Sequence, residues 1–217
     1  SKRDRQGFSL EHRIVVAGIG PGNPDFVLPA ARAAIEGAEV LVGGSRALAD
    51  FARQGQETMT IRGDIDAVLS FIREKIQKTH VVVMVSGDPG YYSLLDALRR
   101  EFPPQALVVI PGVSSLQMAF ARLALPWHEA RLASFHGRVP QAQEIAYKEG
   151  ALLGLLTDRS NNSRTIAQRL MELGWPSAAE LHICSRLSYE DEEIIHTTLA
   201  EAASAAEISH GVLVVKA

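Results

Sequence analysis

Short apolar runs rich in β-branched residues, separated by stretches of helical period, restrict this chain to a narrow set of architectures. The runs are Arg13-Ile14-Val15-Val16-Ala17, Val40-Leu41-Val42, Val81 to Val85 and Leu107-Val108-Val109-Ile110. Such alternation is the signature of strands joined by crossover helices. Between the second and third runs, Asp64 is placed to cap a helix whose Ile65, Val68, Leu69, Ile72 and Ile76 share one face. The first half therefore reads as parallel α/β.

The second half, beyond Leu123-Ala124-Leu125-Pro126, has a different grammar. Strand-like Leu132 to Phe135 and Ala151 to Leu156 flank a short helix, and a longer helix from about Ser163 to Leu173 stops at Gly174, with Pro176 beyond. Glu180 to Ser185 and Glu192 to Thr197, split by a polar turn at Ser188-Tyr189-Glu190-Asp191, read as antiparallel, and Gly211 to Val215 as a last strand. The expectation is an N-terminal α/β lobe over residues 1–112 with a mainly parallel sheet, and a C-terminal lobe over 113–217 with a mixed sheet. A small ligand belongs in a cleft between them.

Composition limits the function classes. With 217 residues and 47% hydrophobic content the chain can bury about 70% of its unfolded surface without disulfides or a structural metal. Its one cysteine, Cys184, excludes an intrachain disulfide, suits a reducing compartment, and sits in an apolar-leaning stretch where a buried structural thiol is expected. The basic start, Ser1 to Gly7, is not followed by a long apolar segment, and the aliphatic run Val81 to Val85 is far too short to span a bilayer. These features point to the cytoplasm. A net charge of −3 argues against a nucleic-acid-coating surface. The histidines show no metal-ligand spacing, so no metal site is expected.

The first strand runs into Gly18-Ile19-Gly20-Pro21-Gly22-Asn23-Pro24. A dinucleotide fingerprint needs a third glycine where Asn23 stands, and Pro21 removes a backbone donor where a pyrophosphate would approach, so a nicotinamide cofactor is the lesser reading. On its own this turn is a tight strand-to-helix connection. Two more strands, however, run into glycine-containing loops, Ser86-Gly87-Asp88-Pro89-Gly90-Tyr91-Tyr92 and Pro111-Gly112-Val113-Ser114-Ser115. Ligands bind at the carboxyl ends of strands in open α/β sheets, and three such loops in a row suggest one site. Ser114 and Ser115 open a helix able to receive a carboxylate, and Asp88 can accept from ribose hydroxyls or pair with an amine. A helix cap and a turn residue remain the plain readings of each alone. S-adenosylmethionine carries carboxylate, amine, ribose and purine together.

Val-x-Gly-x-Gly-Pro-Gly, then Ser-Gly-Asp-Pro-Gly-x-Tyr, then Pro-Gly-x-Ser-Ser resembles the tetrapyrrole methylases. Within that superfamily, Val42-Gly43-Gly44-Ser45-Arg46, Ser134-Phe135-His136-Gly137-Arg138, Leu156-Thr157-Asp158 and Leu187 to Glu192 are similar to precorrin carbon-5 methyltransferases of the CbiE type. The resemblance runs from about residue 13 to the C-terminus, with two departures: Asn23 where Asp is usual, and Ser93 where many relatives have Gly.

The resemblance implies a two-lobed fold, S-adenosylmethionine as methyl donor, a (cobalt-)precorrin acceptor in cobalamin biosynthesis, a homodimer, and a separate partner enzyme acting at carbon 15. It also implies donor contacts near Ile19, Gly20, Gly87, Asp88, Tyr91, Ser114, Ser115, Leu156, Leu187 and Gly211, the last three placed by strand order. In-line methyl transfer needs positioning more than a nucleophile. The acceptor's many carboxylates call for arginines, and Arg46, Arg138 and Arg159 beside the loops are the candidates, an ordinary solvated arginine being the alternative for each. His136 either meets the substrate or moves a proton, or is a structural histidine bonded to backbone, and with Arg138 it forms the catalytic pair expected here. Two rivals stay open: the same donor with another tetrapyrrole, a diphthine-type protein residue or ribosomal RNA as acceptor, and a non-catalytic nucleotide-binding module.

Overall fold

A computed structural model describes residues 11–217, and the basic stretch Ser1 to Gly7 lies outside them. The chain divides into two compact units, the first ending at Ser114 and the second beginning at Ser115.

The first unit contains strands β1 (Ile14–Gly18), β2 (Val40–Gly43), β3 (Glu57–Thr60), β4 (Val81–Val85) and β5 (Leu107–Ile110), with helices α1 (Pro29–Glu36), α2 (Ser45–Phe51), α3 (Ile65–Lys75) and α4 (Leu95–Glu101). The strands form one sheet in the order β3-β2-β4-β1-β5, and every pairing is parallel. Both faces of its centre are covered, which is why β4 reads as an unbroken apolar run instead of an alternating one. On one face Val16, Val42 and Val83 pack with Val68 and Ile72 of α3 and Leu98 of α4. On the other, Ala17, Leu41 and Met84 meet Ala31 and Ile35 of α1. Asp64 caps α3 as expected, accepting the Ala67 N–H at 3.1 Å, and Arg73 and Lys75 complement the dipole in its last turn. The edge strand β3, Glu-Thr-Met-Thr, is absent from the sequence reading because an exposed edge needs no apolar pattern.

The second unit holds α5 (Ser115–Arg122), β6 (Arg131–Ser134), β7 (Leu152–Leu156), α6 (Ser163–Glu172), β8 (Glu180–Ser185), β9 (Glu193–Thr198), α7 (Leu199–Ala202) and β10 (Gly211–Lys216). Their sheet order is β6-β7-β10-β8-β9. Only β6 and β7 run parallel; β10 is antiparallel to both β7 and β8, and β8 to β9, so the sheet is mixed as expected. One face buries Leu153, Leu155, Ile183 and Leu213 against Ile166 and Leu170 of α6 and Leu199 of α7. The other receives α5, where a Cβ on Gly154 would lie 2.9 Å from the Phe120 ring. Cys184 is buried, and burial pushes its thiol up to about 12, as befits an inert structural thiol. Among the described residues no helix is long and apolar enough to cross a membrane.

Candidate active site

In the first unit the loops after β1, β4 and β5 interlock through backbone. Gly20 and Gly87 form an isolated antiparallel bridge, with Gly87 N donating to Gly20 O at 2.8 Å and Gly20 N to Gly87 O at 3.3 Å. Ile19 N donates to Val85 O at 2.9 Å. The bridge needs left-handed backbone, φ 76° at Gly20 and 65° at Gly87, which glycine adopts without a Cβ penalty. Gly112 serves differently: a Cβ there would lie 2.2 Å from Gly87 O, and one on Gly18 would lie 2.7 Å from both Gly87 O and Gly112 N. The glycines of the first and third loops thus allow three strand ends to close backbone against backbone.

Asp88 locks this arrangement. Its Oδ1 accepts from Gly112 N at 3.0 Å and its Oδ2 from Gly90 N at 2.7 Å, so one carboxylate ties its own turn to the loop after β5. The plain reading of Asp88 as a turn residue is met by its bond to Gly90, while its tie to Gly112 on the loop after β5 has no signal in the sequence. A carboxylate has about four lone-pair sites, so two remain for a ligand. Tyr91 is half-buried and meets Tyr92 edge-on at 4.9 Å, while Tyr92 holds φ 50°, an uncommon value for a bulky side chain and one that marks functional loops. Ser93, the departure from the family pattern, closes the turn: its hydroxyl donates to Pro89 O at 2.6 Å and accepts from Leu95 N at 3.1 Å. Asn23, the other departure, accepts from Asp25 N at 2.9 Å and caps the short 3-10 turn Pro24–Phe26. Ser114 lies at the tip of the loop after β5, its Cα 3.6 Å from where a Cβ on Gly87 would sit. Arg46 is exposed in the first turn of α2, at the carboxyl end of β2.

In the second unit, strand direction brings the remaining candidates to one edge of the sheet. The carboxyl ends of β6, β7 and β8 and the start of β10 coincide there, with Leu156 opposite Val212 and Gly211 opposite Ser185. Thr157 fastens two of these strands, its hydroxyl donating to Gly211 O at 2.7 Å and accepting from Gly211 N at 3.3 Å. A Cβ on Gly211 would lie 2.2 Å from Cys184 O, which requires glycine for close strand approach. Leu187 is held between two left-handed residues, Arg186 at φ 55° and Ser188 at φ 73°. Both are anchored: Arg186 pairs with Asp191 at 3.1 Å and stacks on Tyr189, and Ser188 N donates to Glu192 at 2.8 Å. Ser115 begins α5 and so belongs to this unit.

His136 follows β6, exposed, with Nδ1 3.0 Å from Thr157 O. A carbonyl only accepts, so Nδ1 carries the proton and Nε2 of the neutral ring carries the lone pair. Both sequence readings of this histidine are compatible with that geometry. Asp158 accepts from Gly137 N at 2.8 Å, Asn161 N at 2.7 Å and Ser160 N at 2.9 Å. These backbone donors, Gly137 foremost, hold its carboxyl below the ordinary range. Arg138 donates to Ser134 O at 3.1 Å and lies 3.5 Å from Glu144, so part of its guanidinium serves the loop itself. Arg159 is exposed beside Asp158. Among the described residues no group of three or more His, Cys, Asp and Glu is placed to hold a metal ion.

The first unit is thus a parallel α/β unit with interlocked glycine loops at its carboxyl edge, and the second a mixed-sheet unit with a histidine and arginines at one strand edge. The chain belongs to the tetrapyrrole (corrin/porphyrin) methylases, whose family profile matches residues 13–203. It is a methyltransferase that uses S-adenosylmethionine as donor. Among similar proteins, cobalt-precorrin-7 C(5)-methyltransferase of Salmonella typhimurium is 34% identical over 161 residues, 74% of this chain and 79% of the relative. The crystal structure of precorrin-6Y methylase from Archaeoglobus fulgidus matches with a TM-score of 0.67 and 24% identity over 96% of this chain and 98% of that one. Uroporphyrin-III C-methyltransferase from Thermus thermophilus, solved with S-adenosyl homocysteine, matches with a TM-score of 0.71 and 24% identity over 94% and 91%. At such identities the two structures speak for the fold.

Proposed function

We propose that this chain methylates carbon 5 of a (cobalt-)precorrin in cobalamin biosynthesis. The observation that carries this reading is the 34% identity to the Salmonella enzyme over most of both chains. The donor's sulfonium supplies an activated methyl, so the chain's own residues have mainly to bind and orient. In the first unit the N–H groups of Ile19, Gly20 and Gly87 are spent on neighbouring carbonyls, so the second lone pairs of the Gly20 and Gly87 carbonyls, the open lone pairs of Asp88 and the Ser114 hydroxyl suit the ribose and amine groups. Ile19 and Tyr91 are assigned to the donor by the family resemblance. Ser115, Leu156, Leu187 and Gly211 of the second unit are assigned to the donor by the family resemblance alone.

For the acceptor, Arg46, Arg138 and Arg159 are assigned to its carboxylates, because a guanidinium grips a carboxylate with two parallel N–H donors. His136 is assigned to the proton that leaves after methylation, since its Nδ1–H is tied to Thr157 O and Nε2 is the basic atom. A homodimer, cytoplasmic location and a second enzyme for carbon 15 belong to the same reading and rest on the family resemblance and the single cysteine.

The test combines calorimetric titration of S-adenosyl homocysteine with transfer of a labelled methyl to a panel of cobalt-precorrin and ribosomal RNA. The reading expects binding, and label in the precorrin only. Label in RNA would support the other-acceptor reading, although a net charge of −3 disfavours it; binding with no transfer to any acceptor would leave a nucleotide-binding module. Arg138→Ala should raise the acceptor KM and leave donor affinity intact, and unchanged acceptor kinetics would remove Arg138 from the site.

A further inference from the structure

The histidines have no ligand-like spacing in sequence, yet strand pairing sets two of them face to face. His182 on β8 is directly opposite His196 on β9, at the middle of an antiparallel ladder. Their Nδ1 atoms are 2.7 Å apart, with rings crossing at 76°. The pair lines a cavity of about 320 Å³ with Arg122, Leu123, Ile194 and Lys216, on the sheet face opposite the α6 core. Glu180 and Lys216 lie at the amino end of β8 and the carboxyl end of β10. Those are the sheet ends away from Leu156, Leu187 and Gly211, so the cavity is separate from the methyl-transfer residues of this unit.

The geometry also favours one pair of tautomers. Glu180 Oε2 lies 3.5 Å from His182 Nε2, which favours a proton on that nitrogen. His182 Nδ1 then bears a lone pair and accepts from the Nδ1–H of His196. A carboxylate behind one imidazole, with the other nitrogen presented, is the arrangement that orients a histidine toward a metal.

We propose that His182 and His196 form a binding site for a divalent first-row transition ion with imidazole preference, completed by water. Two nitrogens each about 2.0–2.1 Å from a common ion, at tetrahedral to right angles, stand about 2.9–3.4 Å apart. The observed separation therefore has to widen by about 0.2–0.7 Å, and the two Nδ1 lone pairs, which face each other in the hydrogen bond, have to turn by about 35–45° each toward a common ion, which the exposed His196 ring has room to do. On binding, the His196 proton moves through solvent from Nδ1 to Nε2, and both Nδ1 lone pairs go to the ion. Lys216 and Arg122, the cations lining the cavity, oppose the ion's charge; Glu180 offsets one of them, and Arg122 is already paired with Glu192 at 2.9 Å.

The test is calorimetric titration of the intact protein with zinc chloride, with magnesium chloride as comparison. The expected result is one equivalent of zinc and no magnesium binding. His196→Ala, at an exposed position, should weaken zinc by more than about tenfold, and Glu180→Gln by about tenfold, the range seen for an orienting partner. His80→Ala should leave the affinity unchanged, because His80 Nδ1 accepts from Arg13 N at 2.8 Å in the other histidine pair. Wild-type affinity in His196→Ala, or loss of binding only in His80→Ala, would overturn the proposal. An unaltered circular dichroism spectrum for His196→Ala keeps a folding defect from imitating the expected loss.

Discussion

Asp88 joins an observed structural duty to a proposed one in donor binding. With Gly112 N on one oxygen and Gly90 N on the other, its removal leaves backbone donors unpaired as well as stripping the proposed site of an anion. Asp88→Ala should lower stability by about 1–3 kcal/mol and weaken S-adenosyl homocysteine binding. Thermal unfolding and titration of the same sample check both, and a melting point shift with unchanged affinity would leave Asp88 a purely structural role. Gly112→Ala probes the packing without touching a side chain. Its Cβ would meet the Gly87 carbonyl oxygen at 2.2 Å, and backbone cannot yield as a flexible side chain does. A loss of at least about 1–3 kcal/mol is expected, read as roughly 2–4 °C per kcal/mol in melting temperature. At this scale the sequence was informative about where, and less about how. The glycine loops and Asp88 stood out from their motifs, but that Gly18 and Gly112 serve loop-to-loop contact depends on backbone proximity that no motif encodes. The left-handed backbone at Tyr92, Arg186 and Ser188 was equally hidden, because glycine is the usual signal for it and none stands there.

Among the elements, the β8–β9 ladder contributes a pH dependence of stability through His182. Burial, and then the neighbouring His196, hold His182 below the ordinary histidine range. Between that lowered value and about 6.5 the unfolded chain binds a proton that the folded chain does not. Stability therefore rises with pH through this window and is lost on acidification below about 6.5. Denaturant unfolding at several pH values should show that slope, and His182→Gln should flatten it; an identical slope in the variant would assign the effect elsewhere. Element recognition followed burial. The two-sided strands β1, β4 and β10 and the one-faced helix α3 were legible because their apolar patterns are dictated by what covers them. Edge strand β3 was not, since Glu57, Thr58 and Thr60 leave no apolar alternation. The His182–His196 pairing was out of reach for a related reason: residues 14 apart become neighbours only through strand register.

At the scale of the molecule, the change from parallel to mixed sheet was readable because the two halves use different strand grammars, and the two units observed divide at Ser114. Membership of the tetrapyrrole methylases rests on the match over residues 13–203, and the carbon-5 assignment on kinship with the Salmonella enzyme. That assignment makes a regiochemical claim, and regiochemistry is what an experiment should interrogate. Incubation of the protein with cobalt-precorrin-7 and methyl-labelled S-adenosylmethionine, followed by nuclear magnetic resonance of the product, locates the new methyl directly. The account predicts a single labelled methyl on carbon 5; a label at any other carbon, or an unmethylated macrocycle recovered from protein that binds the donor, would contradict it.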